Sequence, residues 1–156
     1  MPIPSDYKEL LSILNRHRVK YLIVGAYAVI HYTEPRYTKD IDVWIKPEIK
    51  NAVKLYQALK DFGAPLKNIT VEDFTNKDLV YQMGVEPVRI DIIMGLSGVE
   101  FDRAWQNRSV ANFDGIKVNI TGINELIQSK IKTKRRTDMI DIEHLEYRLQ
   151  LKNKKK

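Results

Sequence analysis

The hexapeptide Asp-Ile-Asp-Val-Trp-Ile at residues 40–45 constrains the fold more than any other stretch of the chain. Its strict period-two alternation puts Asp40, Asp42 and Trp44 on one face of a β-strand and Ile41, Val43 and Ile45 on the other. The branched face needs a core against it, so the strand belongs in a sheet. Both carboxylates then point the same way. Upstream, the apolar run Tyr21–Val24 stops at Gly25, and Ala26 to Tyr32 suits a helix starting directly after the glycine. The order is strand, glycine turn, helix, and then the acidic strand.

The remaining elements follow from local periodicity. Ser5 reads as an N-cap, with Tyr7, Leu10, Leu11 and Leu14 at helical spacing, which predicts a helix over about 5–18. Pro47 opens another helix, with Ile49, Ala52, Val53, Tyr56 and Leu59 on one face and Gly63 placed to end it. Residues 79–83 and 88–94 flank Gly-Val-Glu-Pro in the pattern of an antiparallel hairpin, and Arg89 shares a strand face with Asp91. Residues 99–107 read as a short helix, and 109–113 with 116–120 as a second strand pair around Asp114 and Gly115. Helices over about 122–132 and 137–150 complete the chain. The fold class is α+β of an α/β type, a small mixed sheet flanked by helices, in one domain over 1–150 with a basic tail at 151–156.

Composition removes whole classes of chemistry. With no cysteine there is no disulfide frame, thiolate zinc site or cysteine nucleophile. The N-terminus lacks a signal pattern and the longest near-apolar run, residues 21–32, falls short of a bilayer span, so a soluble cytoplasmic protein without membrane contact is expected. The net charge of +6 is uneven: residues 130–136 carry five basic groups and 152–156 four, which leaves the rest at −3. The basic stretches suit polyanions, although terminal lysine runs are more often solubilising.

Asp40 and Asp42 offer two hard oxygen donors converging on one point, as Mg²⁺ shared with a phosphate-bearing ligand requires; two acids on a solvated face is the plain alternative. Asp91, bracketed by Ile90, Ile92 and Ile93, is a third acid that burial would penalise unless it is paired or holds a metal, and Arg89 is its simplest partner. Gly25 and Ala26 begin a helix whose free N–H groups suit a phosphate, or else form only a tight turn. Arg36 and Thr38 lie just ahead of the acidic pair. Lys130 falls inside the apolar stripe of Ile123, Leu126, Ile127 and Ile131, and Asp138 and Asp141 share the inner side of the last helix with Ile142, Leu145 and Leu149. These charges serve either a site or a tie between two helices. His17, His31 and His144 show no ligand spacing. Tyr27, Tyr32 and Tyr37 offer base stacking or ordinary edge packing.

The stretch Ile23–Ile45, a glycine-led helix followed by Arg36-x-Thr38-x-Asp40-x-Asp42, resembles the first motif block of the nucleotidyltransferase-fold (DNA polymerase beta-like) superfamily. Within it the chain is most similar to the small bacterial branch related to abortive-infection and toxin-antitoxin nucleotidyltransferases. Asp91 matches the superfamily's third acid, and Lys130, Arg135, Asp138 and Asp141 match a later block of that branch. Two departures stand out: Ala26 replaces the small hydroxyl or glycine often found after Gly25, and Lys134 stands where glycine often precedes the arginine. The resemblance implies transfer of a nucleoside monophosphate from an NTP such as ATP to an acceptor hydroxyl on RNA, protein or a small molecule. It implies Asp40, Asp42 and Asp91 as ligands of two Mg²⁺ ions, with Mn²⁺ as a substitute, and Asp91 as an aid to deprotonation. Gly25, Ala26, Arg36, Thr38 and Lys130 would bind the triphosphate, and an antitoxin or toxin would be the partner. The competing expectations are a non-catalytic nucleotide- or RNA-binding or toxin-antitoxin interaction module on the same fold, and a salt-sensitive RNA binder driven by residues 130–136.

Overall fold

A computed structural model of the chain describes residues 2–133 and 136–154. Strand β1 (Tyr21–Val24) runs into helix α2 (Gly25–Tyr32), the chain returns in β2 (Asp40–Ile45), and helix α1 (Ser5–Arg16) precedes both. Helix α3 (Ile49–Phe62), the hairpin β3 (Val80–Met83) and β4 (Arg89–Ile93), and α4 (Phe101–Gln106) follow. The hairpin β5 (Ser109–Phe113) and β6 (Ile116–Ile120) then leads to α5 (Ile123–Thr133) and α6 (Arg136–Lys154).

The six strands form one mixed sheet in the order β3-β4-β2-β1-β6-β5. β1 is antiparallel to β2 and parallel to β6, while β2 and β4 are parallel. This is the mixed sheet with flanking helices that the alternation predicts. One face carries Ile41, Val43, Ile45, Ile90 and Ile92 into the main core with α1 and α3. On the other face Leu22, Val24 and Trp44 pack against Phe101 and Ala104 of α4. No helix among the described residues is long and apolar enough to cross a membrane.

Several local expectations need correction. Pro4, not Ser5, occupies the N-cap of α1, and no side chain caps it; the proline's fixed φ leads the chain directly into the helix. In α3 the inward face is Asn51, Ala52, Leu55, Ala58 and Leu59, whereas Ile49 and Val53 are 49% and 45% exposed. Asn51 moves inward because its amide bridges Lys20 and Lys46 backbone groups, and a hydrogen-bonded polar residue costs little there. Ile131 likewise lies outside the stripe of α5. A short 3₁₀ turn at Glu72–Thr75, capped by reciprocal Thr70 and Asp73 bonds, fills a stretch expected to be loop.

Candidate active site

Sheet register assembles the acids. Parallel pairing sets Asp42 opposite Asp91 and Asp40 opposite Arg89, so alternate residues of both strands face the same side. Each of Asp40, Asp42 and Asp91 offers an oxygen within 4.8 Å of the others, and among the described residues this is the one cluster of three or more such donors. Three hard oxygens at that spacing suit Mg²⁺ or Mn²⁺, and no soft donor competes.

The cluster is charged against its own interest. Burial first, then Asp40 and Asp91, push the Asp42 carboxyl up to about 7, with a shared hydrogen bond to Asp91 adding to the effect. Asp40 is also raised, first by burial and against the opposing pull of Arg89. Arg89 relieves the repulsion: Nη2 donates to Asp40 at 2.6 Å, and Nε and Nη2 each donate to Asp91 at 3.0 Å. The simple ion pair expected for Asp91 is therefore present, and it extends to Asp40. Glu86 lies 3.5 Å from Arg89 Nη1 and offers the guanidinium a second partner outside the cluster.

Gly25 closes the other side. Its φ is +66°, and a Cβ built there would stand 2.0 Å from Asp42 Oδ2, so α2 can begin against the carboxylate only because the side chain is absent. Antiparallel pairing of Val24 with Asp42 fixes this approach. A cavity of about 140 Å³ opens beside it, bounded by Gly25, Asp42, Ser97, Ser129, Lys130 and Asp138 among others. Ala26 follows as the second residue of α2.

The other site candidates are placed as follows. Lys130 is buried as its position in the stripe predicts, and donates to Asp138 at 3.4 Å and Asp141 at 3.1 Å. Arg36 makes a forked pair with Asp141 at 2.6 and 3.2 Å, so one acid ties β2's approach to both C-terminal helices. Thr38 donates to the Asp40 carbonyl at 3.1 Å and turns the chain into β2. Tyr27 is spent in the core, edge-on to Tyr7, Tyr32 donates to the Thr121 carbonyl and bonds the Ser109 hydroxyl, and Tyr37 is exposed, so the three tyrosines share no stacking face. Arg135 and Lys134 of the later motif block lie outside the described residues. Two lining residues were not foreseen. Ser129 sits three after Leu126 and was readable from helical spacing, whereas Ser97 is in a loop with no periodic signal.

With this geometry in place, comparison with known proteins is informative. The family model described as "Nucleotidyltransferase of unknown function (DUF6036)" matches residues 3–153. No curated protein matches the chain. Among solved structures, the chain is similar to the lincosamide antibiotic adenylyltransferase LnuA in its lincomycin-bound form, with a TM-score of 0.56, 15% identity, and coverage of 92% of this chain and 96% of that one. An antigenic nucleotidyltransferase-like protein from Paracoccidioides brasiliensis gives a TM-score of 0.55 at 20% identity, covering 88% and 75%. The antibiotic-resistance factor ANT(2'')-Ia gives 0.55 at 11% identity, covering 92% and 80%. At such identities the likeness is one of fold.

Proposed function

The chain belongs to that nucleotidyltransferase family, and from this premise we propose that it moves a nucleoside monophosphate from an NTP to an acceptor hydroxyl in a divalent-cation-dependent reaction at Asp40, Asp42 and Asp91. The observation that carries the reading is the convergence of three carboxylates within 4.8 Å beside a helix start that has no room for a side chain.

Asp40, Asp42 and Asp91 fit Mg²⁺ or Mn²⁺ by donor type and spacing. When bound, such ions supply charge neutralisation of the triphosphate and acidify an attacking hydroxyl. The chain's own residues do the rest. Backbone N–H groups at Gly25 and Ala26 hold phosphate oxygens at the positive end of α2, without the hydroxyl that Ala26 lacks. Lys130 borders the same cavity and adds positive charge where the leaving pyrophosphate gathers negative charge, with Arg36 and Thr38 holding the approach to β2. The acceptor oxygen bonds to the α-phosphorus as the bond from that phosphorus to the bridging oxygen breaks. Pyrophosphate leaves with the electron pair. The hydroxyl proton passes to Asp91 and then to water, which requires Arg89 to withdraw from Asp91 toward Glu86.

The test is to incubate the pure protein with α-labelled ATP or another NTP, Mg²⁺ or Mn²⁺, and separate pools of RNA, protein and small molecules. Label should move to one pool, and Asp42→Ala should lower the transfer at least about a hundredfold. Full transfer by the variant would end the assignment. Label in no pool would favour the non-catalytic binding module, which the Arg89 bridge across Asp40 and Asp91 makes physically coherent. RNA and protein acceptors, and a toxin or antitoxin partner, are separated by the same pools. A small-molecule acceptor draws support from LnuA, whose structure holds lincomycin on this fold.

A further inference from the structure

Helix α6 is apolar on two sides. Ile142 and Leu145 are buried against the body of the chain, whereas Met139, Ile140 and Tyr147 are 55%, 48% and 64% exposed. A helix that meets the core on one side and water on the other carries a single apolar stripe, so the outer one calls for a cover. Its neighbour adds to it. Ile131, at the end of α5 and also exposed, joins Met139, Ile140 and Ile142 around a groove of about 620 Å³, whose remaining walls are Glu143 and Glu146. Apolar and methionine side chains in the middle, an amphipathic tyrosine beside them and charges at the border are the composition of a protein contact.

The charges select the occupant. Glu143 and Glu146 follow Ile140 by one and two turns toward the C-terminal end of α6, and neither has a cationic partner among the described residues. Lys132 stands at the opposite end, exposed in the last turn of α5 where the chain passes on to α6, and it has no acidic partner among the described residues. The surface thus changes sign from one side of its apolar centre to the other.

We propose that a second copy of this chain covers the groove, with the two α6 helices crossing antiparallel about a two-fold axis near Met139 and Ile140. A surface whose charge reverses across its centre is complementary to itself after half a turn, as an isologous contact requires. The apolar pairs of the two copies then meet at the axis. Tyr147 of each copy reaches Ile131 of the other, and Glu143 and Glu146 come to the Lys132 end. A partner of one charge sign would match only half of this surface. The proposal is independent of the nucleotidyl-transfer reading.

Sedimentation velocity on the pure chain, from about 1 to about 300 μM, should show monomer passing into dimer, with half association at roughly 10–100 μM as suits a small interface. Ile140→Glu should hold the chain monomeric throughout, and its melting temperature in dilute solution should match that of the wild type because the side chain is exposed. Two further variants test the arrangement. Glu143→Lys with Glu146→Lys in one chain, and Lys132→Glu in another, should each weaken self-association about tenfold, because like charges then face each other across the axis. Mixed in equal amounts they should associate as strongly as the wild type, since every charged contact between the two then joins opposite signs. A wild-type chain that stays monomeric at all concentrations overturns the proposal and leaves the groove to a different protein. A dimer that survives Ile140→Glu puts the contact on another face and overturns it equally. A mixture that associates no better than its components overturns the antiparallel two-fold.

Discussion

At Gly25 the missing side chain and the left-handed backbone are both required, because any Cβ would meet Asp42 Oδ2. Gly25→Ala should therefore cost about 1–3 kcal/mol of stability and push Asp42 out of line with Asp91. Thermal denaturation checks the first effect, and a Mn²⁺ titration followed by spin resonance checks the second, with an expected loss of affinity. Wild-type Mn²⁺ binding by the variant would show that the close approach has no bearing on the acids. Arg89 is the opposite case, a residue whose removal should help a cation. Its guanidinium bonds to both Asp40 and Asp91, so a divalent ion must compete with it. In Arg89→Gln, Mn²⁺ should bind more tightly, by roughly a factor of ten, while the metal-free protein loses stability because the acids repel one another unscreened. Weaker Mn²⁺ binding by this variant would mean that Arg89 orders the carboxylates instead of competing for them.

At the scale of elements, the meeting of α5 and α6 shows what periodicity can and cannot reveal. Lys130, Asp138 and Asp141 were assigned inward positions from helical spacing alone, and all three are buried. Which of them would meet was not readable, because ion pairing depends on the crossing of two helices and on Arg36, more than a hundred residues away from Asp141. Similarly, alternation places Asp40 and Asp42 on one face, and the isoleucines around Asp91 mark it as a buried third acid, which the superfamily resemblance matches. The register that sets Asp42 opposite Asp91 is long-range and belongs to the sheet as a whole. The α3 face departs from its hydrophobic pattern for a local reason: Asn51 is polar, and its bonds to the Lys20 and Lys46 backbone are invisible to such a pattern. The α5–α6 tie can be tested directly. Asp141→Ala leaves Arg36 and Lys130 without a shared acceptor, and should cost roughly 3 kcal/mol in denaturant unfolding. Arg36→Ala, which removes the half-exposed end of the same network, should cost clearly less. Equal losses from both variants would show that the network is not centred on Asp141.

For the whole molecule, one face of the sheet is wholly apolar while the other carries the acids beside a small apolar cluster, and the consequence appears at high pH. Tyrosines reach into the apolar side from several elements, and burial is the largest cause that raises Tyr7, Tyr21, Tyr27, Tyr32 and Tyr81 above the ordinary phenol value. For Tyr7 the acids Asp40, Asp91 and Asp42 add to the rise, which links the core to the charged cluster. In each case the folded value lies above the unfolded one, so above pH 10 the unfolded chain gives up protons that the folded chain keeps. The stability these residues permit is fully present below pH 10, and it is lost as pH climbs toward the folded values. Each such tyrosine can steepen the decline by up to about 1.4 kcal/mol per pH unit. Denaturant unfolding at successive pH values should therefore show stability falling steadily above pH 10. Over the same range, the phenolate absorbance of the native chain should lag behind that of the chain in denaturant. Tyr21 is fully buried and bonded to Asn15, so Tyr21→Phe should flatten the decline and narrow the lag. Superimposable phenolate titrations of native and denatured chain would contradict the burial that holds these phenols protonated.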